Sequence, residues 1–139
     1  MPKFKKWRSE KLVSINPQKY KIDWDGKSRS KFQSNVKKWF QQFWKMDICV
    51  EEMPMPGTRC KLDFANLSKK IIVEVNGAQH SEFSPFFHGK NRWNFHDQIV
   101  RDSAKREWAE ANGFQLIEIE LEDLPLTSNF IKSKFRIEL

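Results

Sequence analysis

The run Ile71-Ile72-Val73-Glu74-Val75 constrains this chain more than any other stretch. Its apolar, β-branched residues suit a strand covered on both faces, and Gly77 ends it. A carboxylate inside such a strand is costly to bury unless something positive answers it. Upstream, Arg59 to Leu67 alternates loosely and reads as a second strand, with Ser68-Lys69-Lys70 as the turn. Folding about Ser68-Lys69 sets Asp63 almost opposite Glu74, on the same face of a hairpin. Two acids so close repel unless a positive charge lies between them. A magnesium ion, content with one or two carboxylates plus water and phosphate oxygens, meets that need. The alternative is a pair of edge charges, each answered by Lys61, Lys69 or Lys70.

The rest of the chain supplies a layered α/β frame. Ser28 to Lys45 reads as a helix that Ser28 or Ser30 can cap. Phe32, Val36, Trp39, Phe40 and Phe43 form its apolar stripe, and Lys31, Lys37, Lys38 and Lys45 are left for solvent or a polyanion. Ile48 to Glu52 reads as a short strand, and the two prolines of Met53-Pro54-Met55-Pro56-Gly57 exclude regular pairing there. Residues 78–94 read as a long loop holding His80, Pro85, His88 and Gly89, and long loops in small domains are more often functional than idle. Asp97 to Asn112 reads as a second helix with Ile99, Val100, Ala104, Trp108 and Ala111 on one face, closed by Asn112-Gly113. Phe114 to Leu121 reads as a strand and Leu124 to Phe135 as a last helix. The order α-β-β-β-α-β-α predicts a mixed central sheet of about four strands flanked by helices.

Charge separates the chain into two regions. Residues 1–45 hold 13 lysines and arginines against 3 acids, whereas residues 46–139 hold 12 against 15. A basic N-terminal arm (1–27) on a single domain (28–139) suits a phosphate-backbone binder. Within the arm, Lys5, Lys6 and Arg8 alternate with Phe4 and Trp7. Such interleaving either grips backbone and bases or packs its aromatics onto the domain. No apolar run reaches membrane-spanning length, and no apolar signal core follows the basic start. Two cysteines, Cys49 and Cys60, make no disulfide framework. A reducing, cytoplasmic setting is therefore expected.

Other side chains that carry chemistry lie nearby. His80 follows Glu74 closely and can move a proton near neutral pH, although a lone loop histidine is commonly a surface residue. Asp102 and Lys105 lie one helical turn apart and share a face. That face looks onto the hairpin or forms a solvent-side ion pair, and spacing alone favours the pair. Cys49, Cys60, His80, His88 and His96 are too scattered for a zinc finger or ribbon.

Gly57-Thr58-Arg59-Cys60-Lys61-Leu62-Asp63-Phe64, followed by Lys70-Ile71-Ile72-Val73-Glu74-Val75-Asn76-Gly77-Ala78-Gln79-His80, resembles the core of the PD-(D/E)XK nuclease superfamily. More narrowly it resembles the branch near very-short-patch repair endonucleases, which includes phage-type homing endonucleases with an E-D-x-H-D pattern. Ser30-Lys31-Phe32-Gln33, Phe95…Gln98…Arg101-Asp102…Lys105…Trp108 and Asn112-Gly113-Phe114-Gln115-Leu116-Ile117-Glu118-Ile119 fit the same group, so the resemblance spans roughly residues 28–122. It implies a restriction-endonuclease-like fold. Asp63 becomes the metal-bridging aspartate, Glu74 the acid of the next strand and His80 a general acid or base. Asp102, or else Asp97, becomes the last acid. Two departures stand out. Asn76 occupies the place of the superfamily lysine, a role that His80 or Lys105 could take. Gln33 replaces a helix-borne glutamate, where its amide could position water or phosphate.

The reading implied is hydrolysis of double-stranded DNA with magnesium, or manganese as a substitute. Asp63, Glu74 and Asp102 would hold the metal, and His80 would shuttle the proton. Lys105 and Arg101 would balance charge on the phosphate. Lys5, Lys6, Arg8, Lys31, Lys37, Lys38, Arg59 and Arg101 would supply salt-sensitive DNA affinity. A phage homing enzyme in the host cytoplasm, with a homodimer as one way to cut both strands, is the reading the resemblance favours. A structure-specific nuclease and a catalytically silent DNA-binding module are the alternatives.

Overall fold

The computed structural model describes residues 2–76 and 92–139, with residues 92–98 described as backbone only. Among the described residues the chain forms a four-stranded mixed sheet, a two-stranded hairpin and three α-helices, the α/β architecture expected. In chain order these are β1 (Lys3–Lys5), β2 (Leu12–Ser14), α1 (Lys31–Trp44), β3 (Cys49–Glu51), β4 (Phe64–Asn66), β5 (Ile71–Asn76), α2 (Arg92–Ala111), β6 (Gln115–Glu120) and α3 (Ser128–Phe135). Among the described residues, no helix is long and apolar enough to cross a membrane.

The main sheet runs β3-β4-β5-β6. Its first two pairings are antiparallel, and β5 and β6 are parallel, joined by a connection that contains α2. Lys70 takes a left-handed conformation in the β4–β5 turn, and the Lys69 N–H is bound by the Asn66 side chain. That turn sets Phe64 opposite Val73 and Asn66 opposite Ile71. One step further along, Asp63 stands opposite Glu74.

Each face of the sheet has its own core, because alternate residues of a strand point to opposite sides. Phe64, Val73, Ile117 and Ile119 pack under Val36, Phe40 and Trp44 of α1 and Ile131 of α3. Val50, Ala65 and Ile72 pack on the other side with Trp108 and Ala109 of α2, and with Met53, Met55 and Phe4.

The structure shifts several expected boundaries. Ser30 is the residue that caps α1, accepting from the Gln33 N–H. The buried face of α1 is Gln33, Val36, Lys37, Phe40 and Trp44, while Phe43 is exposed. The expected strand over 59–67 is regular only at Phe64–Asn66. Before it, residues 60–62 pair irregularly with the Met53–Met55 segment, including a bridge between Pro54 and Lys61. Helix α2 begins at Arg92, so residues 92–94 are helical rather than loop. Its buried residues include Ala104, Trp108 and Ala109, whereas Ile99, Val100 and Ala111 are exposed. Helix α3 starts at Ser128, capped by Thr127, because the preceding residues form a short 3-10 turn and the Leu124-Pro125 step.

The basic segment is built into the domain over residues 2–27. Strands β1 and β2 pair, and Phe4 lies against Trp108 and Phe114 at ring-centroid distances of 5.7 and 6.1 Å. The Asn112 side chain bonds both the N–H and the C=O of Lys5, and the Trp7 N–H donates to the Pro56 carbonyl. Of the two readings of the interleaved cations and aromatics, this is the packed one.

Candidate active site

The end of the β4–β5 ladder carries the acids. Past Phe64 the strands exchange side-chain bonds in place of main-chain ones. The Asp63 N–H donates to Glu74 Oε2 at 2.7 Å, and the Val75 N–H donates to Asp63 Oδ2 at 2.8 Å. Both side chains are buried, yet both border a cleft of about 460 Å³. Its wall also includes Arg29, Glu52, Arg59, Lys61, Arg101, Asp102 and Lys105.

Each of the two acids has a cation of its own. Lys105 of α2 forms an ion pair with Glu74 Oε1, and Arg29 reaches Asp63 Oδ1 at 3.3 Å. Burial drives the Glu74 carboxyl up to about 7, and the Asp63 charge adds to the rise, although Lys105 pulls the other way. Burial pushes the Lys105 ammonium down, but Glu74 and Asp63 outweigh it, so Lys105 stays protonated well above neutrality.

Beneath the acids, on the α1 side of the sheet, lies a buried polar brace. Lys37 is fully buried; its Nζ donates to Glu51 Oε1 at 3.1 Å and to the Gly26 carbonyl at 3.0 Å. Glu51 also accepts from Ser28 and from Gln33. Gln33 Nε2 extends the brace to Glu52 Oε1 at 3.3 Å and to the Asp63 carbonyl at 3.5 Å, the last at the limit of a hydrogen bond. Glu52 has a left-handed φ of 54° at the end of β3. Its N–H donates to the Asp63 carbonyl.

Of the residues singled out from sequence, the fold brings Asp63, Glu74, Asp102, Lys105, Arg59 and Arg101 to one cleft. His80 and His88 lie outside the described residues, as do the side chains of His96 and Asp97. Gln33, expected to position water or phosphate, is buried behind the acids with its amide nitrogen donating to Glu51 and Glu52. Lys37, expected to face solvent or DNA, is instead buried, because it answers Glu51. Among the other expected DNA contacts, Lys6 and Lys31 are exposed, while Lys5, Arg8 and Lys38 pair with Glu10, Glu107 and Asp25. Sequence reasoning missed Arg29, Glu52 and, as part of the cleft wall, Lys61. Arg29 stands just before the cap of α1, and Glu52 just after β3, places where periodicity carries no signal.

Cys49 and Cys60 are free and belong to different cores. Among the described residues, no group of three or more His, Cys, Asp and Glu side chains is arranged to hold a metal ion. The donor chemistry nevertheless fits a sparse magnesium site. Such a site needs only one or two carboxylates, with water and phosphate completing the shell. Asp63 and Glu74 would supply them at an open polar cleft.

No protein-family model matches the chain, and no solved structure does. It is 40% identical over 67 residues to uncharacterized protein 307L of Invertebrate iridescent virus 6, covering 47% of this chain and 34% of that protein. It is 38% identical over 66 residues to uncharacterized protein 033L of Invertebrate iridescent virus 3, covering 48% of this chain and 34% of that one. Uncharacterized protein 094L of Frog virus 3 is 35% identical over 66 residues, covering 48% and 43%. The chain thus spans less than half the length of the relatives it matches.

Proposed function

We propose that this chain is a metal-dependent endonuclease of the PD-(D/E)XK type that hydrolyses phosphodiester bonds of double-stranded DNA. The observation that carries the reading is the Asp63–Glu74 pair: two acids locked side by side at a cleft whose rim is cationic. Asp63 and Glu74 would hold magnesium or manganese, with Asp102 supporting them from α2. When bound, the ion would supply positive charge to the phosphate and to the departing oxygen.

In the reaction a water oxygen bonds to phosphorus and the P–O bond to one sugar oxygen breaks. One water proton is taken up by the site, and the leaving oxygen gains one. His80 is the proposed proton carrier. Lys105 stays charged and, with Arg101, offsets the extra negative charge that develops on the phosphate. Gln33 holds the Asp63 and Glu52 region in place from behind. One cleft cuts one strand, so a break in both strands takes a second copy or a second visit. The homing-enzyme reading rests on the family resemblance; the matched relatives come from invertebrate and frog viruses rather than phages.

A second reading has an observation of its own. Asp63 and Glu74 each already pair with a cation, as they would in a silent DNA-binding module. Purified protein incubated with duplex DNA and magnesium or manganese separates the two. Cleavage that is lost in Asp63→Ala while duplex binding persists supports the nuclease. Binding without cleavage by the wild type in either metal supports the silent module.

A further inference from the structure

The two cations that answer the acids are held very differently. Lys105 is mostly enclosed, with 18% of its side chain exposed beside a Glu74 side chain at 8%. Arg29 is 69% exposed, although its partner Asp63 is at 4%. Among the described residues Arg29 makes a single long contact, one nitrogen to one oxygen, where a guanidinium can offer a two-pronged fork. A one-pronged pair whose cation is this exposed is weakly held. The other Asp63 oxygen is bound by the Val75 N–H, so the carboxylate keeps its place when Arg29 leaves.

Around this contact the cleft rim is cationic. Arg59, Lys61 and Arg101 are exposed on its rim, and none forms an ion pair with a described residue. The wall carries five cations (with Arg29 and Lys105) against four acids, Glu52, Asp63, Glu74 and Asp102. Arg29 thus stands between a buried acid and an open cationic rim.

We infer that Arg29 is an exchangeable phosphate-binding residue: it covers Asp63 in the free protein and turns to a DNA phosphate when a divalent cation takes its place. The inference rests on the proposed metal-dependent nuclease site. Its physical content is a pair of couplings with opposite sign. Arg29 competes with the metal for Asp63, and it cooperates with DNA once released. By linkage, metal and DNA then strengthen each other's binding, and part of that coupling passes through Arg29.

The test measures two affinities without relying on turnover. Manganese binding is followed by electron paramagnetic resonance in the absence of DNA. Binding of a phosphorothioate duplex is followed by anisotropy with and without manganese. In Arg29→Ala, manganese binds about two- to fivefold tighter, the loss of a weak exposed competitor. The same variant binds the duplex about tenfold more weakly when manganese is present, the loss of a charged hydrogen bond. Arg29→Lys restores part of the duplex affinity and part of the competition, and it serves as a folding control. A merely structural role for Arg29 would weaken both affinities together, and that result overturns the inference. So does an Arg29→Ala protein with both affinities unchanged, or a wild type that binds no manganese. Opposed shifts in Arg29→Ala beside a wild type that cuts no cleavable duplex overturn the nuclease reading alone. A wild type that cuts while Arg29→Ala leaves both affinities unchanged overturns this inference alone.

Discussion

Asp63 and Glu74 are tied to each other through the backbone: Glu74 accepts the Asp63 N–H, and Asp63 accepts the N–H of Val75, next to Glu74. The two carboxylates therefore occupy ladder positions that carbonyl oxygens fill elsewhere in the sheet. Their spacing is set by β4 and β5 rather than by a ligand, so the pair is preorganised. Preorganisation has a cost, since each charge is buried beside another, and the first prediction reads that cost directly.

Glu74 is raised from 4.5 to about 7, first by burial and then by Asp63. A carboxyl whose pKa is higher folded than unfolded adds stability that is complete below the unfolded value. That stability is lost as pH rises through the folded value. In chelator, the wild-type Tm should therefore fall from pH 5 to pH 8 by roughly several degrees more than that of Glu74→Gln. Magnesium at pH 8 should recover the wild-type Tm but not that of the variant. Parallel Tm profiles for the two proteins would show that Glu74 does not titrate in this window.

Lys37 is an interior charge whose removal strands another. Lys37→Met leaves Glu51 with Ser28 and Gln33 alone, at a cost of about 3–5 kcal/mol. The double variant Lys37→Met/Glu51→Gln should be much closer to wild type. Urea unfolding of both checks this. Duplex affinity of folded Lys37→Met should stay near wild type, because the ammonium does not reach the surface.

Gly57 holds the loop that carries Arg59 against the N-terminal hairpin. Its φ is +87°, and an added Cβ would lie 2.6 Å from the Trp7 nitrogen. Gly57→Ala therefore combines left-handed strain with a backbone clash and should cost about 2 kcal/mol or more. Thermal unfolding measures it. A shift of under a degree would mean that the hairpin yields freely.

Arg59, Lys61 and Arg101 should behave alike towards DNA. Alanine at each should weaken duplex binding across sequences and reduce the slope of log affinity against log salt by about one. Alanine at Lys5 or Lys38 should do less, since each already pairs with an acid. Equal losses at all five positions would count against the cleft as the DNA-facing surface.

Features that rest on neighbouring residues were legible along the chain. The β-branched run with its single acid, the tight turn at Ser68–Lys70 and the capping serine before α1 all express local sterics and short-range hydrogen bonding. They suffice for the α/β frame and for Asp63 standing across from Glu74, because a hairpin register follows from its turn. Partnership of charges is another matter. Lys37 looks solvent-facing by helical spacing, yet it is buried because Glu51 of β3 approaches it from the sheet. Arg29 and Glu52 sit at element ends without periodicity, and only the stacking of α1, β3 and β4 brings them to the acids. The β1–β2 hairpin escaped notice because three-residue strands leave too short a pattern, and Phe4 gains its burial from Trp108 and Phe114, more than a hundred residues away in sequence. Long-range packing decides which charge meets which, since Coulomb attraction and burial depend on distance in space, not along the chain.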